Sequence, residues 1–177
     1  MALRDAIKAK HDEAESHRFV KLLLSGYMPP TVYADLLINQ AVCYSKLEKL
    51  ASDAGLLTEV ETIARARLIE SDYENLGKTG TVKQSTHDYV EYLDNIPTKD
   101  LMAHIYVRHF GDMYGGQMLK KVVPGSAAMY DFEDRAGLIA KVRERLTDDL
   151  GDEANRAFEF NIRLFDEIAD AHDIRTA

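Results

Sequence analysis

The sequence predicts an all-α fold, a single-domain helical bundle of about seven or eight helices. Two observations carry this expectation. Apolar residues recur at three- and four-residue intervals through most of the chain, and no segment sustains the two-residue alternation of a half-buried strand. Glycine and proline gather at a few points between those segments, where they punctuate helices. A length of 177 residues suits one sizeable core, so residues 1–177 are read as one domain.

Residues 3–25 read as the first helix, with Leu3, Ile7, Ala14, Phe19, Val20, Leu22, Leu23 and Leu24 as its apolar positions and Gly26 at its end. Met28-Pro29-Pro30 forces a break, because proline lacks an N–H and restricts the residue before it. Thr31 is placed to cap a second helix, running to about Asp53 and closed by Ala54-Gly55. Thr58 begins a third, through Ile63, Ala66 and Ile69 to about Leu76. After the loop Gly77–Thr81, Ser85 or Thr86 starts a fourth that ends near Asp94. Thr98 and Asp100 open a fifth, to about Val122. Beyond Pro124-Gly125-Ser126, residues 130–149 read as helix through Leu138, Val142 and Leu146. Gly151-Asp152 then precedes a last helix over 153–172.

Composition excludes several function classes. A net charge of −8 without a basic run speaks against nucleic-acid binding. No apolar run approaches the ~20 residues of a membrane span, and the N-terminus is amphipathic rather than signal-like. The single cysteine, Cys43, rules out an internal disulfide and a multi-cysteine metal site, and suits a reducing, cytoplasmic setting. A compact acidic chain of this size is expected to be monomeric.

The fifth helix carries an anomaly. Gly111, Gly115 and Gly116 fall on roughly one face, and each glycine inside a helix costs about 0.5–1 kcal/mol relative to alanine. Either something flat approaches the backbone there, or the glycines admit a neighbouring helix or a kink. Asp112 stands between them, with Tyr106 and Arg108 one turn upstream. On the first helix, His11 has Glu15 four residues on and Lys8 and Arg4 before it on the same face. A carboxylate bonded to one imidazole nitrogen leaves the other for a metal, and the two cations suit an amphiphilic dicarboxylate. An exposed helix laced with ion pairs explains the same residues. Of the other histidines, His104 and His109 lie near the glycine face, while His17, His87 and His172 read as surface residues. The spacings fit neither a His-x-x-x-His zinc pair nor the Glu-x-x-His pairs of a di-iron bundle, and Gly77-Lys78-Thr79-Gly80 lacks the phosphate-loop pattern.

Gly111-Asp112-Met113-Tyr114-Gly115-Gly116-Gln117 resembles the Gly-Asp-Leu-Ser-Gly-Gly-Gln motif of heme oxygenases. Lys8, His11, Ala14 and Glu15 match the family's first helix, Tyr44 its second and the pair Arg65 and Asp72 its third. Phe158, Asn161 and Phe165 fit Phe-x-x-Asn-x-x-x-Phe in the last. The resemblance covers about residues 3–170 and implies a heme-oxygenase-like fold that cleaves heme b, substrate and cofactor at once, with O2. The products are biliverdin, the IX-alpha isomer, with CO and ferrous iron.

The resemblance also implies residue roles. His11 is the axial ligand, oriented by Glu15. Gly111, Gly115 and Gly116 admit the ligand to the helix backbone. Asp112 organises the water that delivers a proton to dioxygen, with Tyr44 and Arg108 behind it. Arg4, Lys8, Tyr106 and Arg143 hold the propionates, and Phe158, Asn161 and Phe165 wall the pocket. Electrons come from outside, from a ferredoxin or a reductase, and Lys120, Lys121 and Arg143 are candidate docking residues. The alternative is a heme carrier or sensor on the same fold. Two departures stand out. Tyr114 replaces the family's small serine, where a phenol either narrows the site or points away, and Ile139 occupies the place of a family lysine.

Overall fold

The computed structural model describes residues 1–175. Among them the chain forms nine α-helices and no strand: α1 (Leu3–Ala6), α2 (Lys8–Glu15), α3 (Arg18–Leu24), α4 (Pro30–Asp53), α5 (Ala66–Asn75), α6 (Gln84–Asp94), α7 (Leu101–Leu119), α8 (Arg135–Arg143) and α9 (Gly151–Ala171). Short 3-10 turns at Glu61–Ile63, Thr98–Asp100, Ala128–Tyr130 and Asp148–Leu150 join them.

The first expected helix is three. It breaks at Ile7 and again at His17, whose backbone is extended (φ −61°, ψ 140°) and whose Nδ1 accepts from the Phe19 N–H at 3.0 Å. An imidazole thus does the capping usually left to Ser, Thr, Asp or Asn. The second helix starts one residue before Thr31, with Pro30 in its first turn, where the missing N–H does no harm. It ends as expected, Gly55 turning left-handed at φ 76° while the Leu56 N–H reaches the Ala51 carbonyl.

The third expected helix loses its first turns. Only a 3-10 turn at Glu61–Ile63 stands in this stretch, Glu59 takes φ 70°, and α5 begins only at Ala66. Its cap comes from α4: Glu48 accepts from the Arg65 N–H at 2.6 Å and the Ala66 N–H at 3.0 Å. The start of α6 is held the same way. Asn39 accepts from the Lys83 N–H at 2.7 Å, and Glu167 from the Ser85 N–H at 3.1 Å. The helix expected over 130–149 survives as α8 alone, capped by Asp134 on the Gly137 N–H at 3.2 Å. The fifth ends at Leu119 rather than Val122, and the last begins two residues early at Gly151.

One hydrophobic core joins these elements. Tyr33, Leu36, Leu37 and Leu47 of α4 meet Ile105 and Met113 of α7 and Leu164 and Ile168 of α9, all at most 3% exposed. Burying a side chain of this kind stabilises the fold by about 1.5–3 kcal/mol relative to leaving it in water. α5 and α6 pack on α4, and α9 packs against both α2 and α7. No helix among the described residues is long and apolar enough to cross a membrane.

Candidate functional site

The long helix α7 has two unlike faces. Gly111, Tyr114, Gly115 and Met118 follow helical spacing along the outer one, with Tyr114 54% and Met118 61% exposed. A Cβ built on Gly111 would meet nothing within 4 Å, and one on Gly115 only Leu119 Cδ1 at 3.9 Å. Neither glycine is needed for packing, so the backbone there is an open surface. Gly116 differs: it is buried, and a Cβ would sit 2.9 Å from Tyr130 Cδ1. Tight packing accounts for Gly116 and leaves the other two unexplained by the fold.

Directly behind the open surface lies Asp112, buried. Tyr44 of α4 donates to its Oδ2 at 2.6 Å and also lies 3.3 Å from the Arg108 carbonyl. Burial raises the Asp112 pKa to about 6, against the hydrogen bond from Tyr44 and the influence of His109, Arg65 and Arg108. The Tyr44 phenol is itself held well above its usual range, by burial first and by the Asp112 charge second. Arg108 is buried as well. Its Nε donates to the Tyr89 hydroxyl at 3.1 Å, with the guanidinium 4.3 Å from the centre of that ring.

Both histidines near α7's glycines are core residues. His104 is engaged at each nitrogen, Nδ1 with the Tyr89 hydroxyl at 2.8 Å and Nε2 with Glu153 at 2.9 Å. Its pKa is lowered by burial, with Glu153 opposing. His109 is fully buried, its Nε2 2.8 Å from Glu48. His11 on α2 is the contrast, with a side chain 45% exposed and its ring edge-on to Phe158 at 5.9 Å. His17 and His172 depart from the surface reading, because each is paired: His17 with Asp166 at 2.6 Å, and His172 with the buried Asp35.

The helper expected for His11 is displaced. Glu15 Oε1 lies 3.8 Å from Nε2, beyond hydrogen-bond reach, while Asp12 approaches Nδ1 at 3.4 Å. Lys8, with an exposed side chain, pairs with Asp12 at 2.6 Å. The candidate ligand atoms of His11, Asp12 and Glu15 all lie within 4.8 Å of one another.

At another edge Tyr106, Phe110 and Tyr114 follow each other along α7, at ring separations of 5.2 and 5.8 Å. Arg143 of α8 donates to the Tyr114 hydroxyl, and its guanidinium lies 5.9 Å from the Phe110 ring centre. Burial raises the Tyr106 phenol pKa, and Arg143 and Arg4 are near enough to oppose it. The structure therefore brings Arg4, Tyr106 and Arg143 into one neighbourhood. Phe165 packs elsewhere, stacked on Phe19 at 5.3 Å, with Asn161 half-buried one turn after Phe158.

Arg65 and Asp72 do not pair with each other. Arg65 donates to the Met129 and Asp131 carbonyls at 3.1 and 2.7 Å. Asp72 accepts from the Ser126 hydroxyl and the Ala128 and Met129 N–H groups at 2.7, 2.9 and 3.0 Å. Together they fix the turn that carries Tyr130 against Gly116. Sequence reasoning missed Tyr89, Glu48 and Glu153, which hold Arg108, His109 and His104. No local pattern marks them, since their partners are 15 to 61 residues away.

The model of one protein family, described as heme oxygenase, matches residues 1–167. Heme oxygenase 1 of Synechocystis is 28% identical, over 94% of this chain and 82% of the relative. A crystal structure of the Synechocystis protein in complex with heme superposes with a TM-score of 0.81 at 26% identity, covering 97% of this chain and 94% of that one. The heme oxygenase of Leptospira interrogans shares the fold, with a TM-score of 0.82 at 24% identity over 94% of this chain and all of its own.

Proposed function

The chain belongs to the heme oxygenase family, and from that premise we propose how its own residues carry the cleavage of heme to biliverdin, CO and ferrous iron. The observation that carries the reading is the open backbone at Gly111 and Gly115 with the buried pair Tyr44 and Asp112 behind it. A macrocycle can lie on such a surface, and a proton-holding group waits on its far side.

The remaining residues fit the same group. His11 offers an accessible imidazole nitrogen, and the Phe158 edge limits how its ring turns. Arg4, Lys8, Tyr106 and Arg143 supply cations and a phenol for two carboxylates. Asn161 stands one turn after Phe158 on the α9 side, whereas Phe165 serves the core against Phe19 instead of the pocket wall, and Gly116 acts through Tyr130 by letting α7 sit close to the turn at 128–130. Bound heme supplies the iron at which dioxygen is reduced and the ring that is oxidised.

Burial lifts the Asp112 pKa to about 6, so its carboxyl can take up and release a proton close to neutral pH. Its hydrogen bond to Tyr44 keeps the carboxyl turned inward, so it orders water and passes protons through it rather than reaching the reacting oxygen. Arg108, gripped by Tyr89, holds the backbone carbonyl that shares Tyr44. Turnover, not carriage, is the use this arrangement serves, since a carrier needs no buried acid behind the ligand face.

The IX-alpha isomer is the product we assign. The electrons come from a ferredoxin or a reductase docked near Lys121 and Arg143, Lys120 being paired with Asp131. The protein works as a monomer, and the reducing cytoplasm suits its lone buried thiol, Cys43. Charge reversal at Lys121 should slow ferredoxin-driven turnover while leaving turnover with a small chemical reductant intact. For the reaction itself, hemin is titrated into the protein and a reductant is added in air. Loss of the Soret band with growth of a biliverdin band is the expected result. A stable oxygenated complex would favour a carrier instead.

A further inference from the structure

Tyr114 stands on the ligand face of α7, three residues after Gly111 and beside Gly115, and it is 54% exposed. It does not hang free. Its ring meets Phe110 at 5.8 Å and 71°, and its hydroxyl accepts from Arg143, whose guanidinium lies 5.7 Å from the Tyr114 ring centre. The other end of α8 is fastened one residue earlier on α7, where Arg135 donates to the Met113 carbonyl at 2.9 Å. The last cation of α8 is therefore held at the rim of the glycine surface by a phenol that stands on that surface. Ile139, one turn before Arg143, packs on the core and adds no charge there.

We propose that Tyr114 is a specificity-determining positioning residue, which holds Arg143 so that its guanidinium receives one ligand carboxylate in a single rotational setting of the macrocycle. This rests on the heme oxygenase reading. A guanidinium has five N–H donors in a planar fork, and the phenol occupies only one of them. The remaining donors can take a carboxylate bidentately, in a plane that the phenol and the Phe110 ring have already set. An arginine so held loses less rotamer freedom on binding than a free one. The rotational setting decides which edge of the ring faces Gly111 and Gly115, and hence which carbon is attacked. Tyr114 acts only through Arg143.

The test uses four proteins: the unaltered chain, Tyr114→Phe, Arg143→Ala and the double variant. Hemin affinity is measured by titration, and the biliverdin isomers from turnover in air are separated by chromatography. Phenylalanine keeps the ring on Phe110, so Tyr114→Phe tests the hydroxyl alone. We expect one dominant isomer from the unaltered chain. Tyr114→Phe should weaken hemin binding about two- to tenfold and give mixed isomers. Arg143→Ala should do at least as much, and the double variant should match Arg143→Ala. Unchanged affinity and isomer ratio in Tyr114→Phe would overturn the proposal, as would additive effects in the double variant. If the unaltered chain neither binds nor degrades hemin, the functional reading itself fails and takes this one with it. If it degrades hemin and Tyr114→Phe behaves identically, only the role of Tyr114 is lost.

Discussion

Tyr44 and Asp112 share a 2.6 Å hydrogen bond, with Tyr44 2% and Asp112 8% exposed. Removing the donor leaves a buried carboxyl with less to stabilise its charge. Tyr44→Phe should therefore raise the Asp112 pKa above about 6. It should also destabilise the protein by about 1.5–3 kcal/mol, the worth of a buried hydrogen bond to a charged group. Urea unfolding and a carbon-detected NMR titration of the carboxyl measure the two effects. An unmoved titration would mean that the bond does not govern the acid.

Asp112 also ties stability to pH. Its carboxyl moves from an ordinary 3.8 to about 6 in the folded chain. The folded state thus binds the proton more tightly than the unfolded state, and stability falls as pH rises through that interval. Asp112→Asn keeps an acceptor for Tyr44 and removes the charge. It should add on the order of 3 kcal/mol at pH 7 and well under ~1 kcal/mol at pH 4, as seen in paired denaturation curves. Biliverdin formation should drop about a hundredfold or more, as expected when a proton-transfer group is lost. Equal gains at both pH values would contradict the linkage.

The glycines predict opposite signs. Gly116→Ala drives a methyl to within 2.9 Å of Tyr130 and should cost about 1–3 kcal/mol by overpacking. Gly111→Ala meets empty space and should stabilise the helix by about 0.5–1 kcal/mol. That more stable variant should bind hemin less well, because the methyl stands where the macrocycle must lie. Thermal melts without hemin and a hemin titration separate the two effects. Stronger hemin binding by Gly111→Ala would refute the assigned face.

The histidines separate ligation from stability. His11→Ala removes a half-exposed ring and should change stability by no more than about 0.5 kcal/mol, while abolishing the spectrum of histidine-ligated heme. His104→Ala takes one hydrogen-bond partner each from the Tyr89 hydroxyl and Glu153 and opens a cavity in the core, and should cost about 2–4 kcal/mol with the heme spectrum retained. The reverse pattern would make His104 the ligand.

The sequence reveals the helical class and the order of the elements, because periodicity and the glycine and proline breaks are local signals. It does not reveal helix starts, and the reason is physical. α5 and α6 are capped by Glu48, Asn39 and Glu167, which come from other helices. α3 is capped by a histidine, a residue outside the usual capping set. At the site, His11, Asp112 and the glycines are legible as anomalies of spacing and composition. The residues that hold Arg108, His104 and His109 are not. Their hydrogen bonds join elements far apart in the chain, and any buried tyrosine or glutamate could have served. Tyr114 was legible only as a departure, and its bond to Arg143 required the packing of α8 on α7.

α2, the helix that bears His11, is eight residues long and contributes only Ala14 to the buried set. An isolated helix of that length is unstable in water, so α2 owes its form to contacts with α9 and to its joints at Ile7 and His17. Amide hydrogens in α2 should then exchange through a small local opening, long before those of α4 or α7. A ligand that grips His11 closes that opening and raises the apparent stability of the whole chain by RT ln(1 + [L]/Kd). Amide exchange in α2 is therefore a gauge of loading. It should slow in proportion to occupancy, and it should quicken again once product lets go of His11.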